Sequence, residues 1–118
     1  LRRTAGVVDA PLEEKLTTLT YGNLDIQPER YSVRLSGQSV ACTPREVELL
    51  YLLASHPGRV FDREQILSRI WGYDFFGDTR TVDTHIKRLR QKLSCEEMGH
   101  AWDIMTVYGV GYKFEALT

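Results

Sequence analysis

The chain is poor in thiols. Two cysteines, Cys42 and Cys95, occur in 118 residues, and no short metal-ligand or redox spacing joins them. Free thiols in a reducing cytoplasm are therefore the expectation, with a disulfide between the two left open. Histidine is scarce as well. His56, His85 and His100 stand far apart, with no nucleophile or metal motif around them. Asp83 and His85 lie two apart on an expected helix, so their side chains diverge. No glycine-rich phosphate loop follows a strand, and Gly109-Val110-Gly111 sits in an expected hairpin, the wrong context for a dinucleotide. An enzyme is not expected, nor a metal or cofactor. No apolar run approaches the roughly 20 residues that span a bilayer. A large net charge is also missing. The formal sum is −1, which excludes a globally basic nucleic-acid binder and requires any such binding to come from local clustering. The opening residues, Leu1-Arg2-Arg3-Thr4, contain neither an initiator Met nor a signal-peptide apolar region, so a piece of a longer chain is expected.

What the sequence does contain is a soluble, globular composition, 42% apolar and 26% charged, at a length suited to one domain with a modest core. Its most informative stretch is residues 78–93. Val82, Ile86, Leu89 and Leu93 recur at steps of four, three and four, the spacing of one apolar helical stripe. The opposite side carries Arg80, Thr84, Lys87, Arg88 and Gln91, with His85, Arg90 and Lys92 on the flanks. From Arg80 to Lys92, five basic side chains stand against one acid, Asp83. One face would enter a core and the other would meet something negatively charged. Long donors spaced along an exposed helix suit phosphates and base edges in a major groove. A solvated basic face on an ordinary amphipathic helix would give the same pattern, so the rest of the chain must decide.

Residues 1–17 show no sustained period and read as linker. Four short β-favouring runs follow, at residues 19–21, 24–26, 31–35 and 38–42, separated by Gly22-Asn23, Pro28-Glu29 and Ser36-Gly37. They predict an antiparallel meander, with a hairpin turn at Ser36-Gly37. Thr43-Pro44-Arg45-Glu46 is a helix start. Thr43 caps, Pro44 suits the first helical position and Glu46 closes a capping box. This first helix is apolar over much of its circumference and ends near His56-Pro57-Gly58, so it is the expected central core helix. Arg59-Val60-Phe61 reads as a connector. Asp62, with Gln65 three residues on, starts a second helix over residues 63–70 that Trp71-Gly72 ends. The loop after it holds Tyr73, Phe75 and Phe76. After the basic helix, residues 103–107 and 112–115 read as two strands around Tyr108-Gly109-Val110-Gly111.

Four strands, three helices and two strands, with a basic third helix followed by a hairpin, predict an α+β winged helix-turn-helix. That architecture puts the third helix in the major groove and lets the hairpin, the wing, reach neighbouring backbone or the minor groove. The competing reading is a winged-helix protein-interaction module without DNA binding, which calls for a mixed-charge third helix rather than this positive one. RNA is less well supported, because no aromatic stacking pair lies on an expected sheet face.

The chain from Leu19 to Glu115 resembles the DNA-binding effector domain of OmpR/PhoB-type response regulators. The resemblance rests on Cys42-Thr43-Pro44-Arg45-Glu46 with Leu49-Leu50, Pro57-Gly58-Arg59-Val60 and Arg63-Glu64-Gln65-Ile66-Leu67. It continues in Trp71-Gly72, Arg80-Thr81-Val82-Asp83, His85-Ile86, Arg88-Leu89-Arg90 and Gly109-Val110-Gly111-Tyr112. Each piece is weak alone; in order, over most of the chain, they are specific. Leu1-Arg2-Arg3 is similar to the end of a receiver domain's last helix, so residues 1–18 are expected to be receiver tail and linker, and residues 19–118 the DNA-binding domain. The resemblance implies a cytoplasmic transcription regulator of a two-component phosphorelay. Its partners would be double-stranded DNA, bound as a dimer at direct repeats, RNA polymerase, its own receiver and, through that receiver, a sensor kinase. The polymerase contact would be the loop carrying Tyr73, Asp74, Phe75 and Phe76, although Phe75 or Phe76 could equally plug the core.

The expected DNA residues are Arg80, Thr81, Thr84, His85, Lys87, Arg88, Arg90, Gln91, Thr106 and Tyr108. Arg88 is the leading base reader and Thr84 suits a thymine methyl or a phosphate. Arg80, Lys87, His85 and Arg90 suit phosphates. Bland alternatives are a salt bridge for Arg90 and a bond within the fold for His85. Asp83 is expected to hold an arginine, Tyr112 to be core, Trp71 to be core or loop anchor, and Thr106 to donate to phosphate from the wing. One departure stands out. The family often has Arg where this chain has Tyr108, which should make the salt dependence shallower by about one phosphate-equivalent.

Overall fold

The computed structural model describes residues 17–72, 78–93 and 100–116. The expected receiver tail and linker, up to residue 16, and the loop residues Tyr73, Asp74, Phe75 and Phe76 lie outside the described residues, as does Cys95. The elements run β1 (Leu19–Tyr21), β2 (Leu24–Gln27), a 3-10 turn (Pro28–Arg30), β3 (Ser32–Leu35), β4 (Gln38–Val40) and α1 (Pro44–Ala54). Then come β5 (Phe61–Asp62), α2 (Arg63–Trp71), α3 (Arg80–Lys92), β6 (Trp102–Val107) and β7 (Gly111–Ala116). This is the expected winged-helix arrangement.

Strands β1 to β4 form an antiparallel meander in sequence order. Leu24, Ile26 and Val33 are buried, while Asp25 sits opposite Arg34 on the other face. Ser36 and Gly37 both take positive φ, 53° and 81°, and join β3 to β4 in the primed turn that the twist of a hairpin favours. The third strand begins one residue later than its alternation suggests. Pro28 opens the 3-10 turn, and Tyr31 closes it at φ 49°, its N–H donating to the Pro28 carbonyl at 3.2 Å. Tyr31 therefore spends its backbone on the turn and leaves the strand.

The two helix starts follow from their caps. The Glu46 N–H donates to Thr43 Oγ1 at 3.2 Å while the Thr43 N–H donates to Glu46 Oε1 at 2.9 Å. Asp62 and Gln65 repeat the arrangement at α2, at 2.8 and 3.0 Å. Helix α1 buries Val47, Leu49, Leu50, Leu53 and Ala54, and packs on α2, α3 and β7 as the central core helix. Cys42 packs against this core. Burial, then the Glu46 carboxylate, push its thiol up to about 11, with Lys92 opposing, so it stays protonated at neutral pH.

The connector expected at Arg59-Val60-Phe61 is corrected. Phe61 and Asp62 form β5, which pairs with β7 and makes the wing a three-stranded sheet in the order β5-β7-β6. Two residues are too few to show a period, and their partner lies far along the chain. Among the described residues, no helix is long and apolar enough to cross a membrane.

Candidate nucleic-acid interface

Helix α3 buries Val82, Ile86 and Leu89, and Leu93 just past its end is buried too. The expected stripe is thus the one that faces the core. Arg80, Thr84, Lys87, Arg88 and Gln91 are exposed on the opposite side. The helix begins two residues later than expected, because Asp78 acts on its first turn from outside. Its Oδ1 accepts from the Arg80 N–H at 3.0 Å, and its Oδ2 accepts from Arg80 Nε and Nη2 at 3.0 and 2.9 Å. Those bonds, the backbone one first, hold the Asp78 carboxyl below the usual range. The Arg80 side chain remains 85% exposed, so water screens this pairing heavily.

Lys87 and Arg88 are exposed and have no hydrogen-bond or ion-pair partner among the described residues. Thr84 donates its hydroxyl to the Arg80 carbonyl at 3.0 Å, which leaves its methyl and oxygen lone pairs for a partner. His85 is half-buried. Its Nδ1 lies 2.8 Å from the Thr81 carbonyl, which can only accept, so Nδ1 carries the proton and Nε2 is the nitrogen left over. The ring packs edge-on against Trp71 at 4.8 Å. Arg90 meets no carboxylate among the described residues. Its Nη1 donates to Thr106 Oγ1 at 3.1 Å and joins α3 to the wing. A cleft between helix and wing is lined by Lys87, Arg90, Gln91 and Thr106. At the wing's tip Tyr108 is 91% exposed, beside Gly109 at φ 81°. The helix and wing therefore bring Lys87, Arg90, Gln91 and Thr106 together, with His85 engaged inside the fold and Lys92 paired with Glu46 at 2.6 Å.

Asp83 holds an arginine, as expected, and also a tyrosine. Its Oδ1 accepts from Arg63 Nε at 2.7 Å and from the Tyr112 hydroxyl at 2.6 Å. One carboxylate thus ties α2, α3 and β7 together. Burial pushes that carboxyl up, but the Tyr112 and Arg63 bonds outweigh it and hold it below the usual range. A lowered folded pKa contributes stability that is whole above the ordinary carboxylate value, near pH 4, and is lost as pH falls through the folded value. Thermal unfolding followed from pH 7 to pH 2 should show a steeper acid decline in the wild type than in Asp83→Asn. Parallel curves would show that Asp83 carries no such linkage.

Sequence reasoning missed β5, Arg63 as the partner of Asp83, and Glu46 as a buried ion-pair acceptor. For Glu46 the capping motif accounted for the residue type and so concealed its second partner.

Residues 37–114 match the family model described as "Transcriptional regulatory protein, C terminal". The chain is 52% identical over 97 residues to the transcriptional regulatory protein ResD of Bacillus subtilis, covering 82% of this chain and 40% of ResD. Its fold matches the DNA-binding domain of RstA from Klebsiella pneumoniae, solved in complex with the RstA box, with a TM-score of 0.71 and 36% identity over 84% of this chain and 97% of that one. It also matches DrrB of Thermotoga maritima, described as an OmpR/PhoB homolog, with a TM-score of 0.75 and 29% identity over 95% of this chain and 56% of that one. The chain spans about half or less of the length of the curated relatives it matches. By the family model, the relatives and the fold together, the chain belongs to the transcriptional regulatory protein C-terminal family, the winged-helix effector domains of OmpR/PhoB-type response regulators.

Proposed function

We propose that this domain binds double-stranded DNA in a sequence-specific way, as the output domain of a two-component response regulator. The observation that carries the reading is the middle of α3. Lys87 and Arg88 are exposed there with no partner among the described residues, on a helix whose other face is buried in the core. A cation offered to solvent from such a helix without a carboxylate suits a phosphate or a guanine edge. In the major groove, Arg88 reads a base, Thr84 touches a thymine methyl or a phosphate, and Gln91 lies beside them. Arg80, Thr81, Lys87 and Arg90 position the backbone, with His85 offering Nε2. Thr106 and Tyr108 meet adjacent phosphate or sugar from the wing, Tyr108 without charge. The solved complex of the RstA domain with the RstA box supports this reading for a domain of the same fold.

The remaining partners belong to the longer protein. The relatives are about twice as long, which leaves room for a receiver domain beside this one; a cognate sensor kinase acting through that receiver, in the cytoplasm, fits the proposal. Direct-repeat binding as a dimer and polymerase contact through the loop of Tyr73, Asp74, Phe75 and Phe76 complete it.

The test is fluorescence anisotropy with a random-sequence duplex at several salt concentrations. Affinity should fall steeply with salt, with each phosphate neutralised adding roughly 0.9 to the slope of log affinity against log salt. Replacing Arg80, Lys87 and Arg88 together should abolish the binding. A folded wild type that binds no duplex at low salt would shift the assignment to a protein-interaction module.

A further inference from the structure

Glu46 is a carboxylate with no exposed surface that takes no direct part in DNA contact. It occupies the third position of α1, where its Oε1 accepts from the Thr43 N–H at 2.9 Å and from Lys92 Nζ at 2.6 Å. Lys92 is the last residue of α3. The second oxygen, Oε2, is buried with no hydrogen-bond partner among the described residues. Capping explains neither the burial nor the lysine. Glutamine caps as well as glutamate, and the chain uses an exposed Gln65 for that purpose at α2. Stability is a poor explanation too. An ion pair whose carboxylate is buried returns little more than its desolvation costs, and here Lys92 stays a third exposed while one Glu46 oxygen is left unsatisfied. A buried carboxylate held by donors from two elements is better suited to fixing a geometry. Burial pushes the Glu46 carboxyl up, but Lys92 and the Thr43 N–H outweigh it and hold it below the usual range, so the charge persists at neutral pH.

We propose that Glu46 and Lys92 are positioning residues for DNA readout, pinning the C-terminal end of α3 to the N-terminus of α1. The pair sets the angle at which Lys87, Arg88 and Gln91 are presented. The other half of α3 is pinned by Asp83 to Arg63 and Tyr112. Between those anchors lie the non-directional apolar contacts of Ile86 and Leu89, the edge-on packing of His85 on Trp71, and one hydrogen bond, from Arg90 to Thr106 of the wing, which together permit a small pivot. With both anchors in place the helix has one orientation.

The inference rests on the DNA-binding reading, and the experiment separates the two. Wild type, Glu46→Gln, Lys92→Met and the double variant are titrated against a duplex that the wild type has selected from a random library, and against random duplex. Thermal stability and the backbone amide spectrum of the DNA-free protein are recorded for each. Glu46→Gln keeps the cap and removes the charge. Each single variant should lose about fivefold to a hundredfold on the selected duplex, the equivalent of one bidentate base contact. Random-duplex affinity should change by less than about twofold, because the phosphate-facing cations remain. The double variant, which leaves neither charge stranded and keeps the fold if a single does not, should show the same loss as a single. The amides of Lys87, Arg88 and Gln91 should shift in the absence of DNA. Affinity that merely tracks thermal stability, a double variant restored to wild-type affinity, or unmoved amides would each overturn the positioning role. A wild type that binds neither duplex would overturn the DNA reading instead.

Discussion

Gly111→Ala should destabilise the domain by about 3 kcal/mol or more, the upper end of what overpacking costs. A Cβ at this position would lie 2.0 Å from the Phe61 carbonyl oxygen, 2.7 Å from Asp62 Cα and 2.9 Å from the Phe61 carbonyl carbon. All three are backbone atoms, so no rotamer change relieves the clash, and β5 would have to leave β7. That strand runs directly into α2, whose cap is Asp62, and the residue after Gly111 is Tyr112, whose hydroxyl holds Asp83 on α3. The damage would therefore spread from the wing to the helix that carries the site. Gly109 provides the control within the same hairpin. Its φ is +81° and nothing lies within 4 Å of the Cβ it lacks, so alanine there meets conformational strain alone, of roughly 1–2 kcal/mol. Thermal melts followed by circular dichroism should place Gly111→Ala roughly 10 °C or more below wild type, with Gly109→Ala between them. If the two variants melt together, close approach is not what requires Gly111.

That contrast marks the boundary of what the sequence could reveal. Both glycines were visible in one motif, but only the three-stranded wing shows that the second is required by a neighbouring backbone rather than by its own φ. Features set by residues three or four apart were legible. The capping boxes at Thr43 and Asp62, the apolar stripe of α3 and the turn at Ser36-Gly37 all appear in the structure. Features set by distant partners were not. Strand β5 needs β7 in order to exist. Asp83 was expected to hold an arginine, yet nothing local pointed to Arg63 or added Tyr112. Lys92 was counted among the basic side chains of the outward helix, and the structure gives it to a buried Glu46. Arg90 joins Thr106 rather than a carboxylate, and His85 binds its own helix. The positive face is narrower than its composition suggests, because intramolecular partners take the flanks first.

The same narrowing makes Arg88 and Lys87 the pair on which specificity should divide. Arg80 is also outward, but it is forked onto Asp78, and its guanidinium must give up two bonds to that carboxylate or share them, while its backbone N–H keeps a third. Lys87 and Arg88 give up nothing among the described residues. Their chemistry then separates them. A guanidinium presents a planar fork that matches guanine O6 and N7, whereas an ammonium is a point charge suited to phosphate. Arg88→Ala should therefore cost about 1–3 kcal/mol on a selected operator, relax the preference at one base and leave random duplex much less affected. Lys87→Ala should weaken selected and random duplex alike and lower the salt slope by roughly 0.9. Both are read from anisotropy titrations at several salt concentrations, with the base preference taken from a repeated selection. Equal losses for both variants on both duplexes would mean that the two cations act only as charge and that sequence is read elsewhere, with Gln91 and Thr84 the next residues to replace.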